Sequence, residues 1–272
     1  MTITTRRLAE AVDALLPADG PVMVHSSLRS FGQPVEGGAD TVLDVLLAGG
    51  RTVLVPSFSG SHCAVWVSEG DGPRPRRNGM VYADPSGGPA GVPYTTDCGL
   101  IDADMGALPA ALIARRDAHR GDHPINSFAA AGPLAAELIA AQRPDDVYGP
   151  LRALAERGGD VLLLGVGLNR MTALHLAEQL AGRRLFVRWA RAADGAVVAV
   201  EAGGCSEGFP GLAPHLAPHA RTASVGASRW TVHPLREALA TAAAAIAADP
   251  ELTRCAEPGC LRCEHAIAGG PL

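Results

Sequence analysis

With 272 residues, 47% of them hydrophobic and 19% charged, the chain can bury a large core and is not a disordered tail. A formal net charge of −5 argues against a nucleic-acid partner, which needs a concentrated basic face, and is compatible with a polycationic ligand. All 23 Lys+Arg positions are arginine, so no lysine-bearing phosphate loop exists, and nucleotide-triphosphate chemistry of that kind is excluded.

Met1 to Arg7 leads into a polar, amphipathic stretch, not a signal peptide, and no apolar run is long enough to span a bilayer. The expectation is a cytoplasmic protein without a membrane partner, whose six cysteines are thiols or metal ligands, not disulfides. Leu8, Val12 and Leu15 give residues 5–16 helical spacing, ended by Pro17. Residues 21–24 form a buried strand that opens into His25-Ser26-Ser27. Residues 39–47 are helical, and 52–55 are a second buried strand opening into Pro56-Ser57-Phe58-Ser59-Gly60. The Gly-, Pro- and Asp-rich span 60–99 reads as a long irregular loop, either a functional lid or a surface excursion.

Helical patterning resumes at 104–115. A strand follows at 127–131, then helices at 133–141 and 150–157. Asp160 to Leu164 is the clearest buried strand; Gly165-Val166-Gly167 and a helix over 172–180 follow it. Residues 185–189 and 197–201 read as a hairpin around Asp194-Gly195, and a short strand near Ser224 precedes a helix over 234–248. These elements predict an α/β fold, a mixed sheet flanked by helices, in one domain over residues 1–272 with a cysteine-rich tail at about 255–265.

Three strand ends thus carry small polar residues, where ligands of α/β proteins tend to sit. Gly165-Val166-Gly167 is no dinucleotide fingerprint, because Arg170 stands where the third glycine belongs. In combination, three blocks are more specific. They are Val24-His25-Ser26-Ser27-Leu28-Arg29-Ser30-Phe31-Gly32, the run from His123-Pro124-Ile125-Asn126-Ser127 to Gly132, and Val161 to Gly167 followed by Thr172-Ala173-Leu174-His175-Leu176-Ala177-Glu178. In order and spacing they resemble the aminoglycoside 3-N-acetyltransferase (antibiotic N-acetyltransferase) family, from about residue 20 to the end of the chain. The resemblance implies that family's fold, distinct from acetyltransferases with a Gly-rich acetyl-CoA loop. It also implies acetyl transfer from acetyl-CoA to an amine, most naturally the 3-amino group of an aminoglycoside. A different amine acceptor is the alternative within the family, and a non-catalytic zinc-containing relative is the alternative outside it.

The resemblance makes His175 the catalytic base. An imidazole suits that role, since attack on a thioester needs an amine stripped of its proton. Glu201, at a strand end before Ala202-Gly203-Gly204-Cys205, is the favoured acidic partner, and Glu178, at i,i+3 from His175, is the competitor. Ser26, Ser27, Arg29, Ser127 and Gly226 match the positions implied for cofactor contact, while His123 is read as orienting a loop.

Cys255, Cys260 and Cys263 put three thiols within nine residues, with CxxC spacing between the last two. Some relatives pair such a motif with a cysteine at the position of Cys205, so Cys205 completes the implied structural zinc set, with His265 in reserve. For the acceptor, His62 stands where some relatives place an aspartate, and no acid follows Glu201 directly. Glu69, Asp71, Asp97, Asp102, Asp104 and Glu207 are the remaining candidates, either folded over the acceptor or solvated. His62, Asp97 and Glu207 are the substrate-contact expectations, and the shortage of acids implies a narrow aminoglycoside range.

Overall fold

The computed structural model describes residues 2–67, 74–82 and 91–272. Glu69 and Asp71 lie outside the described residues. A seven-stranded mixed sheet forms the centre, built from β1 (Pro21–Ser26), β2 (Thr52–Pro56), β3 (His119–Arg120), β4 (Phe128–Ala131), β5 (Asp160–Leu164), β8 (Arg221–Val225) and β9 (Ser228–Pro234). Its order is β3-β4-β2-β1-β5-β9-β8. The three inner strands β2, β1 and β5 are parallel; their neighbours β4 and β9 run antiparallel to them, and each outer strand, β3 and β8, pairs antiparallel with β4 or β9.

These strands read as continuous apolar runs because both faces are covered. With side chains alternating along each strand, Val22, Val24, Val53, Val55, Leu162 and Leu164 enter one core with helices α1 (Thr5–Leu15), α2 (Gly38–Leu47) and α4 (Ala107–Ile113). Met23, Leu54, Val161 and Leu163 enter the opposite core with α5 (Ala135–Ala140), α6 (Gly149–Glu156), α7 (Ala173–Leu180) and α9 (Leu235–Ala248). Burying each such aliphatic side chain contributes about 1.5–3 kcal/mol, so this three-layer packing, not local propensity, holds the short helices.

The predicted hairpin forms a separate two-stranded sheet, β6 (Phe186–Arg191) with β7 (Val197–Ala202). Its turn is closed by Gly195 at φ +82° and by the Asp194 carboxylate, which accepts from Ala196 N at 2.9 Å. The helix expected over 104–115 begins only at Ala107, because Gly106 at φ +82° separates it from a 3-10 turn at Ala103–Met105. The sequence reading missed β9. Its Ser228, Trp230 and Val232 point inward at period two, and they fill the place beside β5. It also missed the short α8 (Ala213–Leu216) and α10 (Leu261–Ile267), the latter starting within the cysteine-rich tail.

The described parts of 60–99 are anchored to the small sheet. A short α3 (Gly60–Cys63) precedes a bridge from Ala64 to Ala190. Asn78 is fully buried and holds Val187 through both its amide atoms at 2.8 and 2.9 Å. Tyr94 donates to Gly121 O at 2.7 Å. Arg120 ties this segment to the main sheet: its guanidinium donates to Cys98 O, Leu100 O and Ser57 O, each at 2.7 Å. No described residue of the span lines the pocket at the carboxyl ends of β1, β2 and β5.

Candidate active site

The carboxyl ends of β1, β2 and β5 open onto one pocket of about 830 Å³. Ser26, Ser27, Leu28 and Arg29 form one wall, Gly165 to Gly167 the next, and residues 103–107 the outer rim. The β5 turn approaches the Ser27 turn so closely that a Cβ on Gly165 would collide with Ser30 Oγ, and φ there is +67°. Only glycine fits such a turn. Ser30 Oγ donates to Ser27 O at 2.6 Å within that turn, and Ser27 N donates to Leu164 O at 2.9 Å, which holds the β1 loop beside the glycines.

His175 lies in the first turn of α7, buried to 8% exposure, and lines the pocket. Its Nδ1 contacts Glu178 Oε2 at 2.8 Å. With the carboxylate accepting, Nδ1 is the donor, and in the neutral imidazole this tautomer leaves Nε2 as the acceptor nitrogen. Among the described residues Nε2 has no hydrogen-bond partner. Tyr148 stacks on the ring at 8° between planes, and Phe209 meets it edge-on at 4.7 Å between centroids. On the remaining side Gly203 packs so tightly that a Cβ would lie 2.7 Å from His175 Cδ2. The far oxygen of Glu178 accepts from Arg183 Nη1 at 2.6 Å.

The carboxylate on His175 is therefore Glu178, not the favoured Glu201. Glu201, on β7, makes no hydrogen bond to His175; its backbone oxygen accepts from His123 Nε2 at 2.9 Å. Burial pushes its carboxyl up from the ordinary value, against a backbone hydrogen bond from Val147 and the charge of Arg152. The i,i+3 spacing on one helical turn brings Glu178 to the ring.

Two other histidines stand nearby. His25 accepts from Thr172 N at 3.3 Å through Nε2, and burial, reinforced by Arg170, lowers its pKa to about 3. His123 has both nitrogens engaged, Nδ1 by Asn126 N at 2.9 Å, and burial lowers its pKa to about 4. Both stay neutral at physiological pH. His123 holds the loop before β4, as its sequence context suggested.

Ser26, Ser27 and Arg29 line the pocket; Ser127 and Gly226 do not. Ser127 is fully buried, donates to Ser57 O at 2.8 Å and accepts from Arg120 Nε at 3.1 Å, so its hydroxyl serves the sheet. Its neighbour Asn126 faces the pocket instead. Gly226 occupies the two-residue β8–β9 turn at φ +58°, and a Cβ there would lie 2.8 Å from Phe31 O.

Of the acceptor-side candidates, His62 contacts Ile101 O at 3.3 Å and Asp97 is fully exposed, its carboxyl lowered by a hydrogen bond from Thr95; neither lines the pocket. Asp102 is occupied at the start of α3, accepting from Gly60 N at 3.0 Å and Ser61 N at 2.9 Å. Glu207 reaches the rim indirectly, accepting from the lining residue Asn169 at 3.1 Å. Asp104 does line the pocket and faces Arg170 at 3.7 Å across its mouth. It is the only carboxylate among the described lining residues.

Cys205, Cys255, Cys260 and Cys263 converge, all buried, with their four sulfurs within 4.8 Å of one another. The reserve ligand His265 is elsewhere, its Nδ1 accepting from Gly79 N at 2.8 Å. Sequence reasoning missed Tyr148, Arg183 and Gly203 as parts of the site, since nothing local distinguishes them.

The family profile described as aminoglycoside 3-N-acetyltransferase matches residues 23–247. The chain belongs to the aminoglycoside 3-N-acetyltransferase family. It is 36% identical over 189 residues to aminoglycoside N(3)-acetyltransferase IX of Micromonospora chalcea, covering 67% of this chain and 64% of that protein. Against aminoglycoside N(3)-acetyltransferase VII of Streptomyces paromomycinus it is 37% identical over 185 residues, covering 66% and 61%. The aligned part is thus just under two thirds of these relatives' length. The crystal structure of aminoglycoside acetyltransferase AAC(3)-IVa superposes with a TM-score of 0.78 at 26% identity, over 99% of this chain and 98% of that one. The mixed sheet flanked by helices is this family's fold.

Proposed function

We propose that the protein transfers the acetyl group of acetyl-CoA to the 3-amino group of an aminoglycoside, acting as a single domain in the cytoplasm. No helix among the described residues is long and apolar enough to cross a membrane. The observation that carries the reading is the His175–Glu178 pair at 2.8 Å, set in the pocket of a chain of this family. A mutant of AAC(3)-IVa solved in complex with a gentamicin, 26% identical over 99% of this chain with a TM-score of 0.77, supports the choice of acceptor.

In this reading Ser26, Ser27 and Arg29, with the backbone N–H groups of the glycine turn, receive the pantetheine and phosphate groups of acetyl-CoA. Small residues there let the cofactor approach the backbone. The acceptor ammonium releases one proton to solvent; His175 Nε2 takes a second proton from the amine as it attacks, and Glu178 stabilises the resulting imidazolium. The amine nitrogen forms its bond to the thioester carbonyl carbon, the carbon–sulfur bond breaks, and the proton passes to the departing thiolate. The products are an N-acetyl amine and CoA thiol.

Aminoglycosides carry several ammonium groups, and Asp104, the one carboxylate among the described lining residues, orients them, helped at the rim by Glu207. The expected range is therefore narrow. Thiol release from acetyl-CoA with a panel spanning the main aminoglycoside scaffolds tests this, and turnover with a few scaffolds is expected. Turnover with none of them but with another amine would move the assignment to a different acceptor.

The cysteine cluster suits one structural Zn²⁺. Tetrahedral thiolate coordination at ~2.3 Å places sulfurs about 3.8 Å apart, within the spacing found, and four buried thiols leave no open position for chemistry. The ion would tie the tail to the loop after β7. Metal analysis of protein purified without chelator is expected to give about one equivalent of zinc per chain. Less than about a tenth of an equivalent, with all four thiols freely titratable, rejects the site.

A further inference from the structure

We propose that Arg183 is a positioning residue for the transfer, fixing the Glu178 carboxylate on His175 and anchoring it to the turn that precedes the cysteine cluster. The proposal rests on His175 being the base. After α7 the chain reverses through Gly182 at φ +95°, and Arg183 N donates to Glu178 O at 3.0 Å, folding the arginine back under its own helix. Its side chain is only 7% exposed.

The guanidinium has three acceptors. Nη1 donates to Glu178 Oε1 at 2.6 Å and to Thr253 Oγ1 at 2.8 Å, and Nη2 donates to Pro250 O at 2.6 Å. Glu178 is thereby bridged, one oxygen on the arginine and the other on His175 Nδ1. A buried carboxylate without a counter-charge is strongly disfavoured, and one with a single loosely held partner is free to rotate away from the imidazole. A planar fork held at three points removes both options, and a lysine point charge cannot replace it fully.

Both acceptors beyond Glu178 belong to the 3-10 turn Pro250–Thr253. Thr253 is two residues before Cys255, and its carbonyl oxygen packs so closely on Gly208, three residues after Cys205, that no Cβ fits there. The turn that holds Arg183 is thus pinned by segments entering the cysteine cluster from both sides. The order of the cluster reaches the catalytic imidazole along Thr253, Arg183 and Glu178.

Steady-state constants for R183M, R183K, E178Q, E178Q/R183M and H175A, each with its thermal midpoint, test the assignment. For R183M a fall in kcat of about tenfold or more is expected, with KM for acetyl-CoA and acceptor unchanged within about twofold. R183K should lie between R183M and the native enzyme. Because Arg183 acts through Glu178, E178Q/R183M should be no slower than E178Q, a non-additivity that a merely structural role would not produce. Native-level kcat in R183M, or an equal loss on adding R183M to E178Q, overturns the proposal. If R183M does not fold, R183K decides: lower kcat at unchanged KM supports it, and native kcat rejects it. An H175A enzyme with native turnover would instead overturn the assignment of the base.

Discussion

Replacing His175 by alanine is expected to lower kcat by at least a hundredfold while acetyl-CoA binding stays within about twofold. General-base catalysis typically contributes ~10²–10⁴, and no neighbouring imidazole can take over. His25, with its pKa lowered to about 3, already accepts from Thr172 N through Nε2, and His123, lowered to about 4, has both ring nitrogens engaged. The ring of His175 also contributes little to the walls that receive the cofactor, which are formed by the β1 loop and the glycine turn. Single-turnover rates with saturating acetyl-CoA, beside calorimetric binding of CoA, separate the two effects. Turnover of H175A within tenfold of native would show that the proton leaves by another route.

Gly203→Ala is expected to be nearly as damaging, although it adds one methyl group. That carbon would stand 2.7 Å from His175 Cδ2 and 2.5 Å from the Tyr148 hydroxyl, closer than such atoms approach. The imidazole has nowhere to retreat, since Tyr148 stacks on it, Phe209 abuts it and Nδ1 is tied to Glu178. Overpacking of this kind costs about 1–3 kcal/mol, and a displacement of about 1 Å at a catalytic group can reduce rate about a hundredfold. Gly204→Ala is the control. Its new Cβ would come nearest to the Phe186 ring, 3.2 Å from Cε2, a contact relieved by a small shift. Measured kcat and thermal midpoints should fall sharply for the first variant and little for the second. Equal activity in the two would show that the Gly203 contact does not position the base.

Much of this architecture was legible in the sequence. Asp160 to Leu164 has the observed bounds because Val161 to Leu164, buried on both faces, form an unbroken apolar run. The four cysteines assemble as their spacing and the family resemblance suggested. Strand β9 escaped because polar residues flank Trp230 and Val232, and Pro234 ends it, which reads as loop until a neighbour supplies the other half of the ladder. The partner of His175 was misjudged because the position of Glu201 on β7 depends on how the small sheet is attached. Glu178 needs only one helical turn. Ser127 shows the same limit: a serine after a conspicuous motif gives no sign of whether its hydroxyl faces a cofactor or, as here, the Ser57 carbonyl. Arg183 was invisible for a related reason, since two of its acceptors come from residues about seventy positions later.

Product identification is the most direct measurement. Purified protein is incubated with acetyl-CoA and one aminoglycoside that turns over in the panel, and the product is examined by mass spectrometry and NMR beside the thiol released. One acetyl group on the 3-amino nitrogen, formed in equal amount to CoA thiol and abolished in H175A, is the expected result. Acetyl on a different nitrogen, or thiol released with no acetylated product, would contradict it.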